Sequence, residues 1–281
     1  MHYHMLKKPV LCWLFLFFSA LFLLSCNSNS NSSQDKSKDK VRIITLSPHL
    51  AELAVSAGAL QNLVGVVSYS DFPKEVTNIK KVGDAFKLDF ETIISLKPDY
   101  VLTWKGGTPI ALLEKLKSLN IMIVETSINT LLDIPTTIEQ IAQLTNTQGV
   151  AQTTINRFNN TLKKLQSQQH PKLTSFIETY HQPLYTVSGK HWMSEAAKIC
   201  GYHNIFANLS SPSATVTLES VILKNPQSIL VINKQEDKQW HKWQNLDAVK
   251  NNKIITINPD IFSRPSMRIL QGIEELCTSN Y

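Results

Sequence analysis

The sequence predicts an α/β fold made of two three-layer lobes with mostly parallel sheets, joined by a single long α-helix. Three observations predict it. Short β-branched runs alternate with helical stretches in both halves, segments of one half recur in the other, and one amphipathic stretch of helical period separates them.

The elements follow in order. Arg42–Thr45 is a strand candidate, Ala51–Ala57 is helical, and Leu63–Val67 is strand-like. Glu91–Leu96 is helical, Tyr100–Thr103 a strand, Ile110–Leu119 a helix and Ile121–Val124 a strand. Such alternation builds βα units around a parallel sheet. The second half repeats the plan, with strand candidates at Leu184–Val187, Ile229–Ile232 and Ile254–Ile257 and helical stretches at Glu195–Cys200 and Glu219–Lys224.

Two pairs of segments align without gaps. Glu91 stands seven residues before Pro98, and Glu219 stands seven before Pro226. Each Glu opens a helix, where its charge suits the positive end of the dipole, and each Pro closes it ahead of a strand. In the other pair six residues separate Glu52 from Gly58 and Glu195 from Gly201, glycines that suit a helix end. Between the halves Val150, Ile155, Phe158, Leu162 and Leu165 recur at helical spacing, which predicts one helix over about 148–168 that ties the lobes as a stiff strut. The organisation expected is a leader at 1–25, a tether at 26–40, a first lobe at 41–146, the linking helix at 147–170 and a second lobe at 171–281.

The leader rests on Lys7 and Lys8, the apolar stretch Pro9–Leu24 and the sequence Leu23-Leu24-Ser25-Cys26. That is a secretory layout ending in a lipobox, so Cys26 is expected to carry lipid and to anchor the chain to a membrane of the cell envelope, facing the periplasm. The Asn- and Ser-rich segment after it cannot build a core and is expected to act as a flexible tether. The chain has 28 Lys and Arg against 22 Asp and Glu, a formal charge of +6. Cutting after Ser25 removes Lys7 and Lys8 and no acid, leaving +4. That mild balance, with no basic block outside the tether, argues against nucleic acid as a partner. Of four cysteines, Cys12 leaves with the leader and Cys26 is lipidated. Cys200 and Cys277 remain in an oxidising compartment and are expected to form a disulfide, the alternative being two free buried thiols.

Enzyme motifs are absent: there is no GxSxG, HExxH, CxxC, Walker loop or GxGxxG, and the histidines from His49 onward show no close ligand spacing. What stands out is the residues at strand ends, because open α/β sheets bind ligands beyond the carboxyl ends of their strands. Ser47-Pro48-His49, Ser68-Tyr69-Ser70-Asp71 and Trp104-Lys105-Gly106-Gly107 follow strands of the first half. Ser188-Gly189-Lys190 and the Asp260, Phe262, Arg264 stretch follow strands of the second. Aromatic rings with a few polar groups suit a large flat ligand. Trp240 and Trp243 continue a helical stripe with Leu246 and Val249 and are expected in the core.

These stretches carry a resemblance. Arg42–Pro48, Glu52–Ala54, Val67–Asp71, Leu96–Asp99, Trp104–Gly107, Ser188–Lys190, Asn204–Phe206 and the 262–268 region resemble the periplasmic substrate-binding proteins of ABC importers. The class is the one with two α/β lobes and one linking helix (class III). Val67–Asp71 and Trp104–Gly107 are the stretches most like its cobalamin-binding branch. The resemblance implies a non-enzymatic, monomeric protein that holds cobalamin (vitamin B12) or a related corrinoid and hands it to the membrane subunits of an ABC permease, with no cofactor of its own. It implies that Tyr69, Trp104, Asp260, Phe262 and Arg264 line the ligand site and that Phe86 stands where the family has a tryptophan. It implies that Glu91 and Glu219 dock on the permease, and that Cys200 pairs with Cys277. There are departures: a pocket tryptophan is missing around Pro212–Ala214, and Ile261 and Ser263 replace a tryptophan and an acid. These keep an iron–siderophore or haem complex as the alternative ligand.

Overall fold

The computed structural model describes residues 40–232 and 238–279. The leader at 1–25, Cys26 and the tether through Asp39 lie outside the described residues. Ahead of the linking helix, β1 (Ile43–Thr45), β2 (Leu63–Val66), β3 (Tyr100–Trp104) and β4 (Ile123–Thr126) form a sheet in the order β2-β1-β3-β4, every pair parallel. After it come β5 (Leu173–Glu178), β6 (Tyr185–Val187), β7 (Tyr202–Asn204), β8 (Ser213–Thr215), β9 (Ser228–Val231) and β10 (Ile254–Thr256). Their parallel sheet runs β10-β9-β5-β7. With β5, β7, β9 and β10 as counterparts of β1 to β4, the two orders are the same. The repeat legible in two short segments therefore extends to the topology.

Both faces of each sheet are covered because neighbouring strand residues point to opposite sides. Ile43 and Leu102 enter a large core shared by both halves, whereas Ile44 and Val101 enter a second core on the other face of the first sheet. In the second sheet Ile177 and Leu230 join the shared core, and Phe176, Ile229 and Val231 enter a third with Trp240, Leu246 and Val249. Trp243 packs on that third core, so the indole pair has the role expected of it.

The linking helix spans Gln148–Gln166. It is more than a strut: Ala151, Ile155, Phe158, Leu162 and Leu165 are buried in the shared core. Val150, on the expected stripe, is 57 % exposed and lies against Gly58 instead. Cys200 and Cys277 form a disulfide across 77 residues, tying the end of the helix Trp192–Ile199 to the helix Ile269–Thr278. A loop of that length contributes about 4 kcal/mol in the chain-entropy account.

Four strands of the second half depart from expectation. Leu184–Val187 lies outside the parallel sheet, where β6 pairs antiparallel with β8. Sequence pattern does not single out β7, β8 or β5, which is inner in the second sheet beside β9. Thr174 and Ser175 interrupt its apolar run, and Ser175 is tolerated because its hydroxyl meets that of Ser228 at 2.6 Å.

Candidate ligand-binding site

In each sheet the chain turns one way from its first strand to its second and the other way to its third, leaving a crevice at the carboxyl ends. The loops predicted from sequence leave those ends. After β3, Gly106 takes φ of 79° and turns the chain back. A Cβ on Gly107 would lie 1.8 Å from the Trp104 indole, so only glycine lets that ring fold against the turn. The rings of His49 and Trp104 meet in a T-shaped arrangement, 5.5 Å between centroids. Burial, and then the nearby Arg264 charge, lowers the His49 pKa to about 3, so its imidazole is neutral at physiological pH.

Tyr69 follows β2 in the left-handed region at φ 64°, a conformation uncommon for a side-chain-bearing residue, and is 79 % exposed. Its loop is pinned to the next one. The Ser68 N–H and hydroxyl both donate to Gly83 O, at 2.7 and 3.0 Å, and Lys81 Nζ donates to Ser70 O at 2.9 Å. The Gly83–Leu88 turn carries Phe86 at its tip, 83 % exposed, with Asp84 accepting the N–H groups of Phe86 and Lys87 at 2.8 Å. Two exposed aromatic rings thus stand on adjoining, hydrogen-bonded loops.

The second lobe contributes the loop after β10. Arg264 Nη1 donates to Asp71 Oδ1 at 2.6 Å, Nη2 donates to Tyr69 O at 3.4 Å, and Nη2 lies 3.6 Å from Asp260 Oδ1. The Arg264 hydrogen bond is the main cause that holds Asp71 below the usual carboxylate range. Arg268 covers the Phe72 ring at 4.2 Å. Tyr69, Asp260 and Arg264 are therefore brought together across the two lobes, while Trp104 and Phe86 edge the same end of the first sheet.

Phe262 corrects the sequence reading. It is 0 % exposed and packs over Gly272. In the short helix Pro259–Phe262 and the turn after it, Asp260 and Arg264 are four residues apart and share a face, which turns the residue between them inward. A ring without exposed surface does not line a cleft, and Phe262 is a core residue.

Sequence reasoning passed over Glu52 as a site residue. Its carboxylate is 3 % exposed on the helix Pro48–Ser56 and accepts hydrogen bonds from Arg264 Nη1 at 3.2 Å, Ser266 Oγ at 2.6 Å, Arg268 Nε at 3.0 Å and Arg268 Nη2. The signal was available: an acid amid Leu50, Ala51, Leu53 and Ala54 must be buried, and a buried charge needs partners.

Glu91 and Glu219 occupy matching exposed positions in the first turns of Phe90–Ser95 and Leu218–Lys224. Asp89 caps the first helix through the Thr92 N–H and Thr217 the second through the Ser220 N–H. Lys97 and Asn225, both left-handed, end them before Pro98 and Pro226. Among the described residues no group of three or more His, Cys, Asp or Glu is placed to hold a metal ion.

Residues 43–261 match the model of the periplasmic binding protein family. The chain is a periplasmic binding protein. Such a protein is a non-enzymatic, substrate-binding component of ABC import. This binding protein is 35 % identical over 241 residues to the vitamin B12-binding protein of Vibrio parahaemolyticus, an alignment covering 84 % of this chain and 88 % of that one. The crystal structure of the periplasmic vitamin B12-binding protein BtuF of Vibrio cholerae superposes with a TM-score of 0.78 at 33 % identity, over 85 % of this chain and 96 % of that one. The periplasmic haem-binding protein HutB of Vibrio cholerae shares the fold with a TM-score of 0.74 at 23 % identity, over 86 % and 99 %. The binding protein thus has the class III architecture, and its disulfide stands in its second lobe.

Proposed function

We propose that this binding protein captures cobalamin, or a related corrinoid, between its lobes and delivers it to the membrane subunits of an ABC permease. The observation that carries the ligand is the charge state of the cleft. Its strand-end guanidinium, Arg264, is already met by the carboxylates of Glu52, Asp71 and Asp260. Tyr69, Phe86 and Trp104 stand at the strand ends of the first lobe. A polyanionic iron chelate would need arginines free to receive it, and the chain has only Arg42, Arg157, Arg264 and Arg268. An aromatic, nearly neutral site suits a large, flat, weakly charged ligand. The relatives named for vitamin B12 support the same reading.

In this reading Tyr69, Phe86, Trp104, Asp260 and Arg264 meet the ligand, and Glu91 and Glu219, one per lobe, meet positive charge on the permease, setting orientation more than affinity. The leader is cut after Ser25, Cys26 carries the lipid, and the tether lets a monomer work in the periplasm at a distance from its membrane. The second reading, a siderophore or haem complex, draws on the missing tryptophan around Pro212–Ala214 and on the fold shared with the haem binder.

A calorimetric titration of residues 41–281 with cyanocobalamin, and in parallel with a ferric siderophore, tests the proposal. One-to-one binding of cyanocobalamin alone is expected. Heat with the siderophore and none with cyanocobalamin would move the ligand to the iron complexes.

A further inference from the structure

We infer that Glu52 sets the charge selectivity of the site, by fixing Arg264 across the lobe boundary and, together with Asp71, cancelling its charge. The inference rests on the reading that the strand-end loops hold the ligand.

Glu52 sits on the first helix of the first lobe, yet the partners of its carboxylate are Arg264, Ser266 and Arg268 in the second. Both oxygens are used. Oε1 takes Arg264 Nη1 and Arg268 Nη2, and Oε2 takes Ser266 Oγ and Arg268 Nε. A carboxylate buried this deeply, with two guanidinium groups on it, leaves those groups little freedom to reorient. Arg264 is then held where its remaining N–H groups reach Asp71 and Tyr69 O.

The cluster's formal charges are two guanidinium groups and the ammonium of Lys81, which interacts with Asp71, against the carboxylates of Glu52, Asp71 and Asp260, so that they balance. His49 adds none, since it is neutral beside Arg264. Without Glu52 or Asp71 the cluster is left with one net positive charge. Arg264 then becomes available to an anionic ligand group at the cleft.

The repeat supplies an internal control. Glu195 is the counterpart of Glu52 on the first helix of the second lobe, and it too reaches across: its Oε2 accepts the Leu131 N–H at 2.8 Å. The two glutamates thus lace the lobes in opposite directions. Glu195 meets a backbone amide and none of the charged groups of the cluster, so it ties the lobes without touching that charge.

The test compares wild type, E52Q, D71N and E195Q by thermal melting and by titration with cyanocobalamin and with haemin, whose two propionates supply the anionic groups. E52Q is expected to weaken cyanocobalamin about tenfold and to strengthen haemin at least tenfold. D71N, changed at an exposed rim position, is expected to keep the melting temperature and shift preference the same way to a smaller extent. E195Q is expected to lower the melting temperature with the ratio of the two affinities unchanged. If E52Q and D71N leave that ratio where it is in wild type and E195Q, the inference fails and Glu52 only holds the lobes together. Should E52Q not fold, D71N alone decides on the haemin arm. Wild type that does not bind cyanocobalamin would defeat the proposed ligand but not this inference, which then stands or falls on whether haemin binding rises in the two variants.

Discussion

At the scale of single residues, two aromatic side chains of nearby strand-end loops have opposite tasks. Phe262 is enclosed by the core against Gly272, whereas Trp104 lies half-buried at the edge of the shared core, over a glycine turn and beside His49. Removing a buried phenylalanine leaves a cavity. Phe262→Ala should therefore destabilise the fold by about 3–5 kcal/mol. Trp104→Ala should melt closer to wild type while weakening ligand binding by about 2 kcal/mol, the loss of one aromatic anchor. Denaturant melts and calorimetry on the two variants separate the roles. If Trp104→Ala melted as early as Phe262→Ala and bound ligand normally, the indole would belong to the core. Glu52 teaches the same lesson in reverse, since its place inside an apolar helix is plain from sequence but its partners lie more than 200 residues away.

Among the elements, the paired helices Phe90–Ser95 and Leu218–Lys224 show how local rules place a surface feature. Each has a capping side chain, a glutamate two residues later and a left-handed residue before proline, so each glutamate is exposed at the positive end of its helix. Neither takes part in the strand-end cluster. E91K and E219K are therefore expected to keep ligand affinity in solution and to lower ligand uptake severalfold, more when combined. Uptake of labelled cobalamin by cells carrying the variant as their sole binding protein measures this, and undiminished uptake by the double variant would remove the docking role. The strands were harder to place. Leu184–Val187 has the composition of a sheet strand but pairs with Ser213–Thr215, because the inner position is filled by Leu173–Glu178, whose polar Thr174 and Ser175 disguise it.

For the molecule as a whole, two histidines held out of water couple folding to acid. His49 and His191 are held neutral by burial, with pKa values lowered to about 3 and about 4. The unfolded chain takes up a proton at each near pH 6.5, and the folded chain does not. Between those values the unfolded state binds more protons, so stability rises with pH and falls on acidification. The slope is about 1.4 kcal/mol per pH unit for each histidine below pH 6.5, levelling near pH 3–4. Unfolding free energies from pH 7.5 to 4.5 should show it, and His49→Gln with His191→Gln should flatten the curve. A slope unchanged in that double variant would assign the acid sensitivity to other groups. The linking helix adds to the same whole-molecule coupling, since its buried face belongs to the core that both lobes share.

The sequence by itself determined the α/β alternation, the linking helix, the repeat and the strand-end loops, because each is written in short-range patterns of apolar period, capping and turn residues. It determined that Tyr69 and Arg264 fall beyond strand ends and that Trp104 stands at one. Only the tertiary structure decided that Phe262 faces inward, that β5 and not Leu184–Val187 holds the inner place in the second sheet, and that Glu52 and Asp71 meet Arg264 across the lobes. Those outcomes depend on which surfaces meet after the chain has folded. A side chain's charge and period are local properties, but its partner is chosen by packing between segments that the sequence keeps far apart.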